Sequence, residues 1–319
     1  KKKKAKSFFM LGYIIRRLLY MIPILLGVAF LVFTLFTTVG EDPVRIALGN
    51  HASPEAIADL RAKWGLDQPL HLQFLDFLKQ IITFDYGRSF NTGEKLSELF
   101  AQGALVSLSL TLPPFLIAVM LNVSMALIVA YYRGSIIDRF ATAFFIMAMS
   151  ISYLVYIIAF QYILAFQFDL FPINGYEHGL RAIPYLVLPG IIIIFVSMGP
   201  DVRMYRTVFL DEIKADYVRT ARSKGAAEPR VLFKHILKNA MIPILTYTVV
   251  AIPFLVLGAF LMERFFSIPG IGDLMINAIN TGDFPVLKGL TMYIAIGYSI
   301  FNLITDILYA YVDPRVKLT

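Results

Sequence analysis

Six stretches of the chain are apolar and long enough to cross a hydrocarbon layer of about 30 Å, which takes roughly 20 helical residues. They cover 15–39, 104–132, 140–166, 183–200, 241–262 and 288–311. Prolines fall within several of them, with Pro113 and Pro114 in the second, Pro184 and Pro189 in the fourth, and Pro243 and Pro253 in the fifth. Each proline removes a helical hydrogen bond, and lipid offers no replacement, so neighbouring helices or water must take the freed carbonyls. The pattern predicts an all-α, polytopic membrane protein with six transmembrane helices, packed as a single transmembrane domain over 1–319, with kinked members. The kinks serve packing or motion; the sequence leaves both open.

The link between the first two spans, 40–103, has helical character of its own. Ile57, Leu60 and Trp64 recur at spacings of three and four, the period of an amphipathic helix. Ser53 suits its cap, Pro54 its first turn and Gly65 its C-terminal end. A second helix is expected over 70–82. The link reads as a small helical segment outside the membrane, open between a structural role and contact with substrate.

Charge then sets a direction. Lys1 to Lys4, Lys6, Arg16 and Arg17 precede the apolar run that begins at Leu18, Arg133 and Arg139 sit in the second-to-third link, and Arg315 and Lys317 in the tail. The fourth-to-fifth link carries Arg203, Arg206, Lys214, Arg219, Arg222, Lys224, Arg230, Lys234 and Lys238. With six spans all of these fall on one side, which the positive-inside rule makes cytoplasmic. Link 40–103 falls on the other side, and there nine acidic residues outnumber six Lys and Arg. Both termini are therefore expected in the cytoplasm of a cell bounded by this membrane. The basic start followed by an apolar run has the look of a signal peptide. Yet the run over 18–39 is of spanning length and no small-x-small cleavage site follows, so it is expected to be a retained first helix.

Composition agrees. Of 319 residues 58% are hydrophobic and only 16% charged, against roughly 25% charged in a soluble domain, and mean hydropathy is +0.70. The net charge of +7 is spent on topology, so no nucleic-acid partner is expected. The absence of cysteine excludes disulfides, zinc thiolates and iron–sulfur clusters. No glycine is followed by lysine, which excludes the phosphate-cradling P-loop. His51, His71, His178 and His235 stand alone, without metal-ligand spacing, and no nucleophile elbow or metalloprotease motif is present. The chain is expected to hold no catalytic residue, no metal and no cofactor.

The region 205–243 is the most informative. Phe209, Ile213 and Tyr217 lie four apart and Ala221 continues the stripe, which places them on one helical face. Gly225 offers a C-terminal cap and Pro229 the first turn of a further helix, whose apolar face holds Val231, Leu232, Ile236 and Leu237. Two helices thus meet at a glycine turn on the basic side. Such a hairpin could dock a partner, or could simply fix topology and touch anionic lipid.

The stretch DYVRTARSKGAAEPRVLFKHILKNAMIP, 216–243, resembles the cytoplasmic coupling loop of bacterial ABC importer permeases, closest to the dipeptide/oligopeptide/nickel group. Asp216, Tyr217, Arg219, Thr220, Ala221, Arg222, Lys224, Gly225, His235, Leu237, Asn239, Ala240 and Pro243 match that group's pattern, while Ser223 replaces the usual alanine. Against the broader importer pattern E-A-A-x-x-x-G only Ala221 and Gly225 hold. The start YIIRRLLYMIPILLGVAFLVF, the outer segment GEDPVRIALG with SPEAIADLRAKWGLDQPLHLQFLDFL, FDYGRSF and SIPGIGDLMINAINTGDFPVLKG extend the likeness over nearly the whole chain, to the B-type permease. Gly40, Glu41, Asp42 and Pro43 stand for Pro-Gly-Asp-Pro, and Gly87 and Ser89 are kept.

The resemblance implies a non-catalytic translocation subunit of an importer in the bacterial inner membrane. Its partners would be a second homologous permease, two cytoplasmic ATPase subunits that bind ATP and Mg, and an extracytoplasmic substrate-binding protein. It implies di- or oligopeptide cargo, with nickel chelates or other small solutes as alternatives. The coupling loop, 201–240, would sit in a groove on an ATPase through Asp216, Tyr217, Arg219, Thr220, Ala221, Arg222, Lys224, Gly225 and His235. The competing reading is an ATP-independent secondary transporter or channel, which would call for inverted repeats and charges at the midplane.

Intramembrane ionisable groups are the first suspects for substrate contact. Asp306 lies near the cytoplasmic end, where Arg315 or interfacial water is the expected partner; Asp169 and Glu263 lie near outer ends. Asn122, Gln161 and Asn302 are expected to bond between helices. The substrate pathway is otherwise unmarked, which suits a passive conduit whose selectivity resides in the binding protein.

Overall fold

A computed structural model describes residues 2–38, 43–48, 52–257 and 259–312. The described residues fold almost wholly into helices: α1 (Lys2–Thr38), α2 (Pro43–Leu48), α3 (Pro54–Lys63), α4 (Leu70–Thr83), α5 (Leu96–Tyr131), α6 (Ile136–Ser150), α7 (Tyr153–Phe160), α8 (Ile183–Ile213), α9 (Asp216–Ser223), α10 (Glu228–Arg230), α11 (Lys238–Ala251), α12 (Phe260–Phe265), α13 (Ile271–Thr281) and α14 (Phe284–Val312). Wider π turns follow α7 (Gln161–Gln167) and α10 (Val231–Leu237), and a tighter 3₁₀ turn, Ile252–Leu257, follows α11. Gly40, Glu41, Asp42, His51, Arg315 and Lys317 lie outside the described residues.

Five helical stretches have spanning length and hydropathy: Gly12–Thr37, Leu96–Tyr131, Gly179–Ile213, Glu228–Leu255 and Phe284–Leu308. The expected third span is a bent pair, Ile136–Ser150 with Tyr153–Gln167, at 97°, and counting it as one gives six. Prolines mark only some of the breaks: Pro253 lies in the 3₁₀ turn that ends the fifth span. Pro113 and Pro114 sit inside an unbroken α5, whereas the sharpest turn has no proline: Ile151 and Ser152 are both extended, with ψ 133° and 141°. The fourth and fifth spans are also displaced from expectation. α8 runs on as far as Ile213, and the fifth span ends at Leu255 rather than reaching 262.

The bundle is packed through small residues, as helices in lipid must be when no hydrophobic force draws them together. Gly190 of α8 lies against Pro114 of α5, and Gly199 against Met149 of α6. A Cβ at these glycines would come within 3.0 Å and 2.5 Å of those side chains. Two ion pairs join the spans. Arg206 of α8 forks onto Asp138 of α6 at 3.0 Å through both Nε and Nη2. Arg17 of α1 meets Asp306 of α14 at 3.0 Å, off the hydrogen-bond axis and so an ion pair by proximity. Among the described residues Asp306 is paired with Arg17, because α1 and α14 run side by side; the expected partner Arg315 lies outside the described residues.

The link 40–103 has the expected helices, with differences in detail. Ser53 Oγ accepts from Ala56 N at 3.2 Å to cap α3, and the chain turns out of it through Leu66 N to Arg61 O at 2.9 Å. Its apolar face is only half buried. Trp64 instead stacks flat on Phe90, with ring centroids 3.5 Å apart. Phe74 and Phe77 of α4 pack on Phe33 of α1, which ties the segment to the first span.

At this end of the bundle two carboxylates join segments far apart in sequence. Asp283 accepts from Ser89 Oγ at 2.5 Å and from Phe90 N at 3.2 Å. Glu263, fully buried, accepts from Ser107 Oγ at 2.7 Å, Ala259 N at 3.1 Å, Gly272 N at 2.6 Å and Asp273 N at 3.1 Å. It thus caps the N-terminus of α13, where free N–H groups and the helix dipole favour a negative charge. A Cβ at Gly270 would stand 2.4 Å from its Cδ and one at Gly272 2.8 Å from Oε2. Glu263, suspected of substrate contact on sequence, is a closed structural cap, and Asp169 is exposed.

Glu263→Ala strands a hydroxyl and three backbone donors, two of them in the first turn of α13, at a cost of about 2–4 kcal/mol. The thermal midpoint of the detergent-purified chain should fall by several degrees. An unchanged midpoint would remove the cap from the account.

Candidate functional site

The helical hairpin forms at the end of the bundle opposite the two carboxylate joints. α8 stops at Ile213 because the chain bends at Lys214 and Ala215, the latter extended with ψ 145°. This break corrects the single stripe expected over Phe209, Ile213, Tyr217 and Ala221. Phe209 is buried at the end of α8, while Tyr217, on the separate α9, is 37% exposed. The inward residues of α9 are Val218 and Ala221. They join Tyr205, Phe209, Leu127, Ala130, Val231 and Ile236 in one buried cluster. The hairpin is thus continuous with the ends of α5, α8 and α11.

Gly225 closes α9 with φ +76°, a left-handed conformation that a side chain disfavours. Gly225 N donates to Arg222 O at 2.9 Å and Ala226 N to Ala221 O at 3.2 Å, which satisfies carbonyls the helix end leaves over. Pro229 opens the next helix, which widens into the π turn and continues as α11. Arg222 forks onto Glu228 at 2.8 Å and 3.2 Å, so its guanidinium staples the two arms. Tyr217 donates a close hydrogen bond to Glu212. Burial, and then Glu212, hold the Tyr217 hydroxyl above its ordinary range, so it remains a neutral donor.

Of the nine hairpin residues singled out in sequence, Ala221 alone packs inward and His235 is half buried in the π turn. Asp216, Arg219, Thr220, Arg222 and Lys224 face outward. Asp216 and Arg219 are nearly unconstrained, with side chains 98% and 76% exposed and only a loose 4.0 Å contact between them. The hairpin therefore presents a fixed apolar inner face and a free, mixed-charge outer one.

Among the cavities elsewhere in the described residues, two hold charged side chains that bear on the site. One, of about 240 Å³, opens under Trp64 and Phe90 and is lined by Asp76, Arg88 and Lys288. The other, of about 270 Å³, lies between α5, α8 and α11 inside the bundle. Asp201 lines it, and Asn122 Nδ2 donates to Asp201 Oδ2 at 3.0 Å and to Ser197 Oγ at 3.1 Å. Asn122 thus bonds between helices as expected. Gln161 bonds to the backbone of Ile173 at 2.7 Å, and Asn302 is exposed. Sequence reasoning missed Asp201 because Gly199-Pro200 reads as a span end. It missed Asp138 because the arginines around it read only as topology signals. An amphipathic continuation of α8 through Val202, Tyr205 and Phe209, at spacings of three and four, was the available signal.

Residues 122–318 match the family described as binding-protein-dependent transport system inner membrane component, and residues 10–110 match the N-terminal region of such membrane components. Among characterised relatives, the dipeptide transport system permease protein of Alkalihalophilus pseudofirmus is 32% identical, over 97% of this chain and 100% of its own. The glutathione transport system permease protein of Salmonella typhimurium is 32% identical, over 97% of this chain and 99% of its own.

Two substitutions test the hairpin geometry. Gly225→Val forces a β-branched residue into the left-handed region at about 1–2 kcal/mol, although no neighbouring atom blocks its Cβ. Limited proteolysis should cut near 224–226 in the variant and not in the parent, with membrane insertion unchanged; equal cutting refutes the cap. Arg222→Glu should likewise loosen the turn, by no more than about 1 kcal/mol for a half-exposed pair. Adding Glu228→Arg should restore protection, and failure of the double variant to recover would show the staple to be incidental.

Proposed function

The chain belongs to the family of binding-protein-dependent transport system inner membrane components, and from that membership we propose that it is the peptide-translocating permease of an ABC importer driven through its α9 hairpin. It is a multi-pass, non-catalytic membrane subunit. The observation that carries the hairpin's role is its two-faced build: Val218 and Ala221 buried among the ends of the spans, Asp216 and Arg219 free outside. Close-packed interiors transmit displacement because they compress little. A partner that moves α9 therefore moves the ends of α5, α8 and α11 with it.

That partner is a cytoplasmic ATPase, two copies of which bind ATP and Mg and close on each other. A second homologous permease completes the pathway, and an extracytoplasmic binding protein delivers cargo. The basic end faces the cytoplasm, both termini included, and the membrane is the bacterial inner membrane. ATP and delivered substrate shift the transporter only by binding its two states unequally. The cargo class, peptides, follows the two relatives named as dipeptide and glutathione permeases.

Uptake of a labelled dipeptide into inside-in membrane vesicles should require internal ATP; ATP-independent uptake would favour a secondary transporter. Reversing the free charges with Asp216→Lys and Arg219→Glu should reduce co-purification of the ATPases at least about tenfold, since like charges across an interface repel. Undiminished co-purification would sink the docking surface. Mass spectrometry of the ligand held by the cognate binding protein decides between peptide and metal-chelate cargo.

A further inference from the structure

Charged groups buried in a bilayer are costly unless paired, and among the described residues the buried acids of the spans respect the rule with one exception. Asp138 holds Arg206 and Asp306 holds Arg17, while Glu263 is saturated by four donors. Asp201 stands in the span Gly179–Ile213. Among the described residues no Lys or Arg lies within ion-pair distance of it. Its fixed partner is the amide of Asn122, a wholly buried residue whose own Oδ1 finds no donor. Tyr247 directs its hydroxyl to the same carboxylate.

The surroundings are suited to a cation. The cavity beside Asp201 is walled by the rings of Tyr153, Tyr205 and Tyr247, with Phe115 and Phe254. Tyr205 and Tyr247 meet edge to face, centroids 5.8 Å apart at 88°. The Tyr205 hydroxyl is occupied by Thr248 Oγ1 at 3.2 Å, which fixes the ring. A carboxylate beside aromatic faces combines the two interactions that best retain an organic ammonium away from water. The volume, about 270 Å³, falls below the roughly 300–1,000 Å³ of sites that enclose a whole drug-sized ligand. It suits one end group, not an extended chain. The cavity is level with Thr111 to Val119, halfway along α5.

We propose that this cavity is an intramembrane site for a primary ammonium group, with Asp201 as its counter-ion and the tyrosine rings as its walls. On the peptide reading above, which this extends, the group is the free amino terminus of the cargo in transit, and the chain then discriminates cargo by charge as well as conducting it.

The direct test titrates n-butylammonium chloride calorimetrically into the assembled, detergent-solubilised importer, with sodium chloride and n-butanol as controls. Binding specific to the ammonium is expected in the parent and in Asp201→Glu, and at least about tenfold weaker binding in Asp201→Asn. No ammonium-specific binding, or equal binding in Asp201→Asn, overturns the proposal; the latter is also the outcome if Asp201 is a neutral interhelical contact. The transport arm compares a dipeptide with its N-acetylated form. Asp201→Asn should slow the free peptide and spare the acetylated one, and equal loss of both would assign Asp201 to folding instead. Ammonium binding without uptake of either peptide by the parent would leave the site standing and remove the peptide reading. Peptide uptake by the parent without ammonium binding would do the reverse.

Discussion

Hydrocarbon accepts no hydrogen bond, and most of this structure answers to that fact. Three acids within or beside the spans have an internal answer: a guanidinium for Asp138 and for Asp306, a ring of donors for Glu263. These answers also fix the architecture, because each joins helices distant in sequence. Arg206–Asp138 binds α8 to α6, Arg17–Asp306 binds the first span to the last, and Glu263 binds α12 to α13 and, through Ser107, to α5. The cost of desolvation is thereby converted into positional specificity, with glycine contacts supplying the close approach around them.

The two ends of the bundle solve different problems. At the basic end an apolar cluster runs without a break from the spans into α9, so the hairpin is stiff where it meets the bundle and polar where it faces away. At the other end the two carboxylate joints sit beside a second apolar cluster, and α3, α4 and α13 gather around them.

Much of this was legible in the residues. Hydropathy located the membrane segments, and the glycine and proline at 225 and 229 located the hairpin turn, since φ +76° and a first-turn proline are conformations few other residues adopt. Ser53 announced α3. What was not legible depended on distance in sequence. Nothing local to Glu263 says that Ser107 and the amides of 272 and 273 will surround it. Nothing near Asp306 points to Arg17, 289 positions earlier. The bend at 151–152 escaped because serine and isoleucine fit a helix as well as an extended turn; tertiary packing chose. Asp201 escaped because a proline just before it imitates a boundary.

The joint between Ser89 and Asp283 spans 194 residues and that between Ser107 and Glu263 spans 156. A ribosome that has released residue 89 must therefore make almost the whole of the remaining chain before either carboxylate exists to close its joint. The cluster beneath the hairpin, by contrast, is complete once residue 244 has emerged. Domains form from the N-terminal side during synthesis, and distant contacts come last. The order of synthesis is thus imprinted on the molecule: the cluster beneath the hairpin can close first, and the two carboxylate joints only after residues 263 and 283 have been made.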